Sequence, residues 1–221
     1  MKKHMISRLT CCLLICVVFV ICACGPVNKQ DIRVESRVFE DNSHTNSNVV
    51  VRYPEFISED DGFEKINRQV EEKAKSFAES VYLQDYINLD LNIEYAYSIS
   101  DKYISVAFEG MGNISTVAHP NNHCQTIIFS REDKSILTLS DMFEVDDAFV
   151  SLFMKHLQEK DSAFMNYFNE TYDAASLLEA CDDGSSGCYS YITDTEIIIS
   201  FQVPHAIGDY VKVSLPLEEI K

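Results

Sequence analysis

Ile87, Leu89, Leu91, Ile93, Tyr95, Tyr97 and Ile99 occupy every second position of one uninterrupted stretch, separated mostly by polar residues. Side chains of a strand alternate between its two faces, so this spacing commits the chain to a long strand with one side on a core. Such a strand needs neighbours. Asp101-Lys102 turns the chain into a partner strand over Tyr103–Phe108. Gly110 and Gly112 then loosen the backbone ahead of a further strand near Ile114–Ala118.

The same period recurs at both ends of the chain. Ile32, Val34 and Val38 alternate with polar residues, and Val49–Tyr53 resumes the pattern after the polar turn Asp41–Asn48. This reads as a hairpin that Pro54 ends. Thr126–Phe129 and Ile136–Leu139 flank the turn Arg131–Lys134, a second hairpin. Glu196–Val203 and Tyr210–Leu215 read as the last two strands.

Two segments switch to the helical period. Phe63, Ile66, Val70, Ala74, Phe77 and Val81 recur at intervals of three and four, with Ser58 as cap and Asp61 three residues on. Asp146 or Asp147 caps a second helix carrying Phe149, Leu152, Phe153, His156 and Leu157. A less regular helical stretch carries Phe164, Phe168, Leu177 and Leu178. Hairpins with helices set between them predict an α+β fold, with antiparallel sheets and two main helices packed on one face. Two small subdomains, 32–110 and 111–221, are compatible with this order.

The first 23 residues have a different character. Lys2, Lys3 and Arg8 precede an apolar run from Leu9 to Cys24, the pattern of a secretory signal. Sixteen residues span about 24 Å as a helix, short of the roughly 30 Å of a bilayer core, so a single membrane span is the weaker reading. The run ends Ile21-Cys22-Ala23-Cys24, which resembles the lipobox of bacterial lipoproteins. That resemblance implies cleavage after Ala23 and lipid on Cys24, with 24–31 as a tether to the outer face of the cell membrane. Gly25-Pro26 gives the tether a non-helical start.

Cleavage would leave 198 of the 221 residues. It removes three of 18 basic residues and none of the 35 acidic ones, taking the formal charge from −17 to −20. A chain so acidic is repelled by nucleic acid and suits a cationic partner. The same charge also serves solubility alone. Four of the eight cysteines (Cys11, Cys12, Cys16 and Cys22) leave with the leader, and lipid takes Cys24. Outside the cytoplasm, Cys181 and Cys188 can close the short loop between them as a disulfide. Cys124, beside the apolar run 127–129, reads as an inert core thiol.

Candidate chemistry is sparse. His119, His123 and Cys124 form half a zinc site, without the second pair that zinc requires. Asp182, Asp183, Ser185 and Ser186 offer oxygen atoms but not the alternating acids of a calcium loop. No nucleophile elbow, phosphate loop or metalloprotease motif is present, so no catalytic residue, metal or cofactor is assigned. Two glycosylation sequons, at Asn113 and Asn169, are silent in a bacterial context.

Several segments together resemble a known module. They are Tyr53-Pro54-x-Phe56 ahead of a helix containing Ile66-Asn67, then Ala118-His119-Pro120, then Leu137–Phe143. Phe201-x-Val203-Pro204-His205-Ala206-x-Gly208-Asp209-Tyr210 follows, with Pro216-Leu217-x-Glu219-Ile220 at the end. Their order is similar to the extracytoplasmic domain-of-unknown-function family shared by the lysozyme-receptor anti-sigma-V factor and the N-terminal region of peptidoglycan N-deacetylase C. The resemblance covers about residues 30–221 and makes Ala118-His119-Pro120 a turn element; His119, His205, Asp209 and Tyr210, which stand in its turn motifs, are the candidate functional turn residues, a histidine between Pro204 and Gly208 being able to face a pocket. It implies an envelope-facing role, binding lysozyme or cell-wall glycan. Only eight residues precede the apolar run and the sequence stops at Lys221, so neither a sigma-binding segment nor a deacetylase domain is expected. The expected role is therefore a non-enzymatic binding or sensing module. An enzyme acting on cell-wall glycan or peptide, and a structural envelope component, are the alternatives.

Overall fold

The structure, a computed structural model, describes residues 32–41, 46–82, 89–114, 119–160, 162–172, 176, 179–180 and 187–220, apart from the side chains of 77–82 and 114. Among the described residues eight strands form two sheets, and the strand expected near Ile114–Ala118 lies, beyond Ile114, outside them. Strands β1 (Arg33–Asp41), β2 (Asn48–Ile57), β3 (Leu89–Ile99), β4 (Tyr103–Ile114) and β5 (Asn121–Ser130) lie side by side in that order. Strands β6 (Cys188–Ile192), β7 (Glu196–Gln202) and β8 (Tyr210–Pro216) form the second sheet. Helix α1 (Phe63–Tyr82) packs on the first sheet, while α3 (Asp147–Leu157) and α4 (Ser162–Thr171) pack on the second. A single turn, α2 (Leu139–Met142), precedes α3. The class is α+β, as the periodicities predict.

The helices divide differently from the expectation of one shared face, because each sheet has its own apolar layer. Phe63, Ile66, Val70 and Ala74 of α1 are buried against Val49, Val51, Leu89, Leu91 and Ile93. The expected core positions Phe77 and Val81 fall within α1, with side chains outside the described set. Around the second sheet, Phe153 of α3, Phe168 of α4 and Phe201 of β7 form a ring cluster, with centroids 5.1–5.6 Å apart. Each such ring contributes about 1.5–3 kcal/mol on burial. Residue 110, the expected subdomain boundary, lies inside β4.

One pairing departs from an all-antiparallel arrangement: β2 and β3 run parallel over four residue pairs. Helix α1 is the reason, since parallel neighbours need a long crossover and the helix supplies it. Pro54 does not end β2. It lies opposite Ser36, past Val51, where the pairing with β3 stops, so its missing N–H costs no ladder bond on that side. Ser58 does not cap α1 either. Its hydroxyl accepts from Asp60 N–H, Asp60 in turn accepts from Gly62 N–H, and the helix begins only at Phe63. Asp146, by contrast, is the cap of α3, accepting from the N–H groups of Ala148 and Phe149.

The second predicted hairpin contracts to β5 alone. Ile136 makes one isolated bridge to Phe129, and Leu139 opens α2, where Asp141 accepts from Thr138 N–H and closes a capping box. Strand β6 was not anticipated, because Tyr189-Ser-Tyr191 lacks an aliphatic alternation.

Gly110 and Gly112 do not interrupt β4, which is continuous through both. They are there for space. A Cβ at Gly110 would sit 2.0 Å from the Asn92 carbonyl oxygen, and one at Gly112 would sit 2.8 Å from His123 Nε2. Replacing Gly110 by Ala therefore forces backbone, not a flexible side-chain end, to move. Gly110→Ala is expected to lower unfolding free energy in urea by about 1–3 kcal/mol; an unchanged midpoint would contradict the close approach.

Candidate functional site

The turn joining β7 to β8 is built by short-range backbone chemistry. Pro204 leads into a 3-10 turn, His205–Ile207, and Gly208 (φ 117°) and Asp209 (φ 72°) then take left-handed conformations. Glycine adopts this region freely, and Asp tolerates it better than most residues. Val203 N–H donates to the Asp209 carbonyl oxygen at 2.8 Å, which closes the loop. The result holds the Asp209 carboxylate at the mouth of the turn.

That carboxylate has two sets of donors. His205 Nδ1–H donates to Oδ1 at 2.6 Å. The backbone N–H of Asn122, on β5, donates to Oδ2 at 2.7 Å and its side-chain amide at 3.1 Å. Burial pushes the Asp209 carboxyl up, but the bonds from Asn122 and His205 outweigh it and hold it below the ordinary 3.8. Because Nδ1 carries the bonded proton, Nε2 of a neutral His205 presents its lone pair outward. The His119 ring lies 6.0 Å from that of His205, centroid to centroid. Thus three of the four candidate turn residues, His119, His205 and Asp209, meet at one place although 86 to 90 positions separate the first from the others.

Tyr210, the fourth, is half-buried beside them. Burial raises its hydroxyl pKa, and Lys212 Nζ lies 5.6 Å from its ring centroid. Lys212 also pairs with Glu109 of β4. Asn122 was not among the predicted residues. An Asn in a polar run carries no local signal, and only the approach of the second sheet to β5 brings it to Asp209.

Behind this turn is a cavity of about 140 Å³ lined by His123, Tyr189, Gln202, Asp209 and Tyr210 among others. Binding clefts for small molecules run to about 300–1,000 Å³, so this space suits water rather than a sugar chain. Burial lowers the pKa of His123, with the Asp209 charge opposing that shift. Cys124 is buried and its thiol pKa is raised by that burial, which leaves little thiolate. The core-thiol expectation therefore fits its setting. Among the described residues no group of three or more His, Cys, Asp or Glu side chains could hold a metal ion.

Other sequence candidates lie elsewhere. Cys188 is buried at the start of β6, while Cys181 and the acidic loop 182–186 lie outside the described residues. So do Ile21, Cys22, Ala23 and Cys24. Among the described residues no helix is long and apolar enough to cross a membrane.

Asp209→Asn keeps a residue that tolerates the left-handed backbone while removing the charge. A carboxyl depressed in the folded state stabilises the fold above the ordinary 3.8, and that contribution is lost as pH falls through the folded value. At neutral pH the variant should lose on the order of 1–3 kcal/mol in urea denaturation. The deficit should shrink as pH falls below 3.8, and a pH-independent deficit would count against a charge-based latch.

Known proteins place this architecture. Its fold is similar to the crystal structure of a DUF3298 family protein from Pseudomonas aeruginosa PAO1, with a TM-score of 0.51 at 12% identity. The match covers 85% of this chain and 92% of that one. No family matches the sequence itself, and no curated protein matches it. The similarity is one of fold.

Proposed function

We propose that this chain is a non-enzymatic binding module, displayed on the outer face of the cell membrane by lipid on Cys24, whose ligand is a cationic protein such as lysozyme. Support comes first from charge disposition. Arg33, Arg37, Arg52, Lys75, Lys134, Lys155 and Lys212 each pair with an acidic side chain of the same chain. With 35 acidic residues against 18 basic, these pairs neutralise part of the basic complement and carboxylates remain in excess. A cationic surface would meet a field little offset by this chain's own bases. The resemblance of the sequence motifs to the envelope module of the anti-sigma-V factor and the deacetylase points the same way.

An enzyme acting on cell-wall glycan would draw on the His205–Asp209 pair, since a carboxylate-oriented imidazole is the usual start of a general base. The cavity next to that pair is too small for a glycan, and the nearby thiol, Cys124, is buried. Cell-wall glycan remains the second ligand on this reading, bound at an open surface.

The test is titration of lysozyme against residues 32–220, which contain every described element, across a salt series. Binding that persists at roughly 150 mM salt, where the Debye length is about 8 Å, is the expected result. Binding abolished by that salt, or absent at low salt, would remove the cationic-protein reading.

A further inference from the structure

The flank of α1 that faces away from its own core overhangs the outer edge of the first sheet. Gln69, Lys73 and Ser76 of that flank line one wall of a cavity of about 470 Å³. Its floor is β5, with Ile136 and Leu137 at the lip and Tyr189 of β6 on the far side. Unlike the space behind His205, this volume lies within the range of small-ligand sites.

Three features of the cavity share one ligand chemistry. The first is a cation. Lys73 is largely buried, its Nζ lies 5.7 Å from the centroid of the Tyr189 ring, and no carboxylate among the described residues pairs with it. An ammonium held out of water without a carboxylate lowers its cost when an anion arrives. Glu72, the acid on this wall, is exposed. The second feature is an acceptor: the Gln69 amide oxygen is buried, has no hydrogen-bond partner among the described residues, and needs only a turn of a side chain that already lines the cavity to meet a ligand. A buried polar group left unpaired costs about 1–3 kcal/mol, which a ligand N–H would recover.

The third feature is a strand edge. Strand β5 ends the sheet order, and Leu137 N–H donates to the Ile128 carbonyl on its outer side. Backbone groups of an antiparallel strand alternate in direction, so those of Thr126, two residues earlier, point to the same outer edge. That edge opens into the cavity, beside the apolar side chains of Ile127 and of Ile136, which is 50% exposed. An extended chain can add to such an edge by main-chain bonds while its side chains meet apolar walls.

We propose that this cavity binds the C-terminal end of a short extended peptide with apolar side chains, its carboxylate on Lys73 and its backbone along the outer edge of β5. The amide oxygen of Gln69 accepts a peptide N–H. This site is separate from the acidic surface on which the cationic-protein reading rests, so either can fail alone.

The probes are acetyl-Leu-Val-Leu as free acid, as C-terminal carboxamide, and as an acid N-methylated on its peptide nitrogens, titrated calorimetrically against the full chain in detergent. The free acid should bind at least ~10-fold tighter than the carboxamide, and the N-methylated acid should lose at least ~10-fold as well. Lys73→Met should abolish the preference for acid over amide, while Lys73→Arg retains it. Ile136→Glu, at an exposed lip where folding is little affected, should weaken the acid more than the amide. Equal affinity of acid and amide for the unmodified chain, a preference that survives Lys73→Met, undiminished binding after N-methylation, or no binding of any probe would each overturn the proposal.

Discussion

Residues 104–108 of strand β4 are buried on both faces, and the two halves of the molecule depend on that. Ile104, Val106 and Phe108 point into the core beneath α1. Ser105 and Ala107, on the opposite face, are 0% and 4% exposed because the second sheet approaches there. A buried hydroxyl needs a partner, and Ser105 Oγ finds one by accepting the N–H of Ile192 in β6. The two sheets thus meet across a strand that cannot face water on either side.

Two further polar links border this joint. Lys212 of β8 pairs with Glu109 of β4, and Asp209 receives both donors of Asn122. All three links join residues distant in sequence, and none shares a residue with another. The candidate turn gains its geometry from this arrangement. His205 is oriented because Asp209 is held, and Asp209 is held because β5 begins at Asn121 beside it. The conspicuous turn residues therefore serve first to lock the sheets together, and an exposed pair of imidazoles is the surface consequence.

Charge and cavity separate into different regions of one small molecule. The bases that form ion pairs lie at exposed or half-buried positions, where such pairs add little stability individually but still neutralise the cations. Lys73 differs from them, since its ammonium is largely removed from water and, among the described residues, faces an aromatic ring instead of an acid. An acidic composition and the desolvated Lys73 beside an open strand edge thus present opposite charges in different parts of the molecule.

Local periodicity in the sequence determined most of the elements: the alternation through Ile93, the helical spacing from Phe63 to Ala74 and the Asp146 cap all reappear in place. It did so because strand and helix faces repeat at fixed short intervals that burial makes visible. Sequence reasoning also singled out His119, His205, Asp209 and Tyr210 from their turn motifs, without a reason for their grouping. The tertiary structure decided the rest. It set β3 parallel to β2 because α1 carries the chain across, kept β4 continuous because Gly110 and Gly112 admit a neighbouring carbonyl and an imidazole, and gave each sheet its own helices. It alone brought Asn122 to Asp209 and set Lys73 against Tyr189 with no acid partner among the described residues, because such pairings depend on strand order and packing, which no window of neighbouring residues encodes.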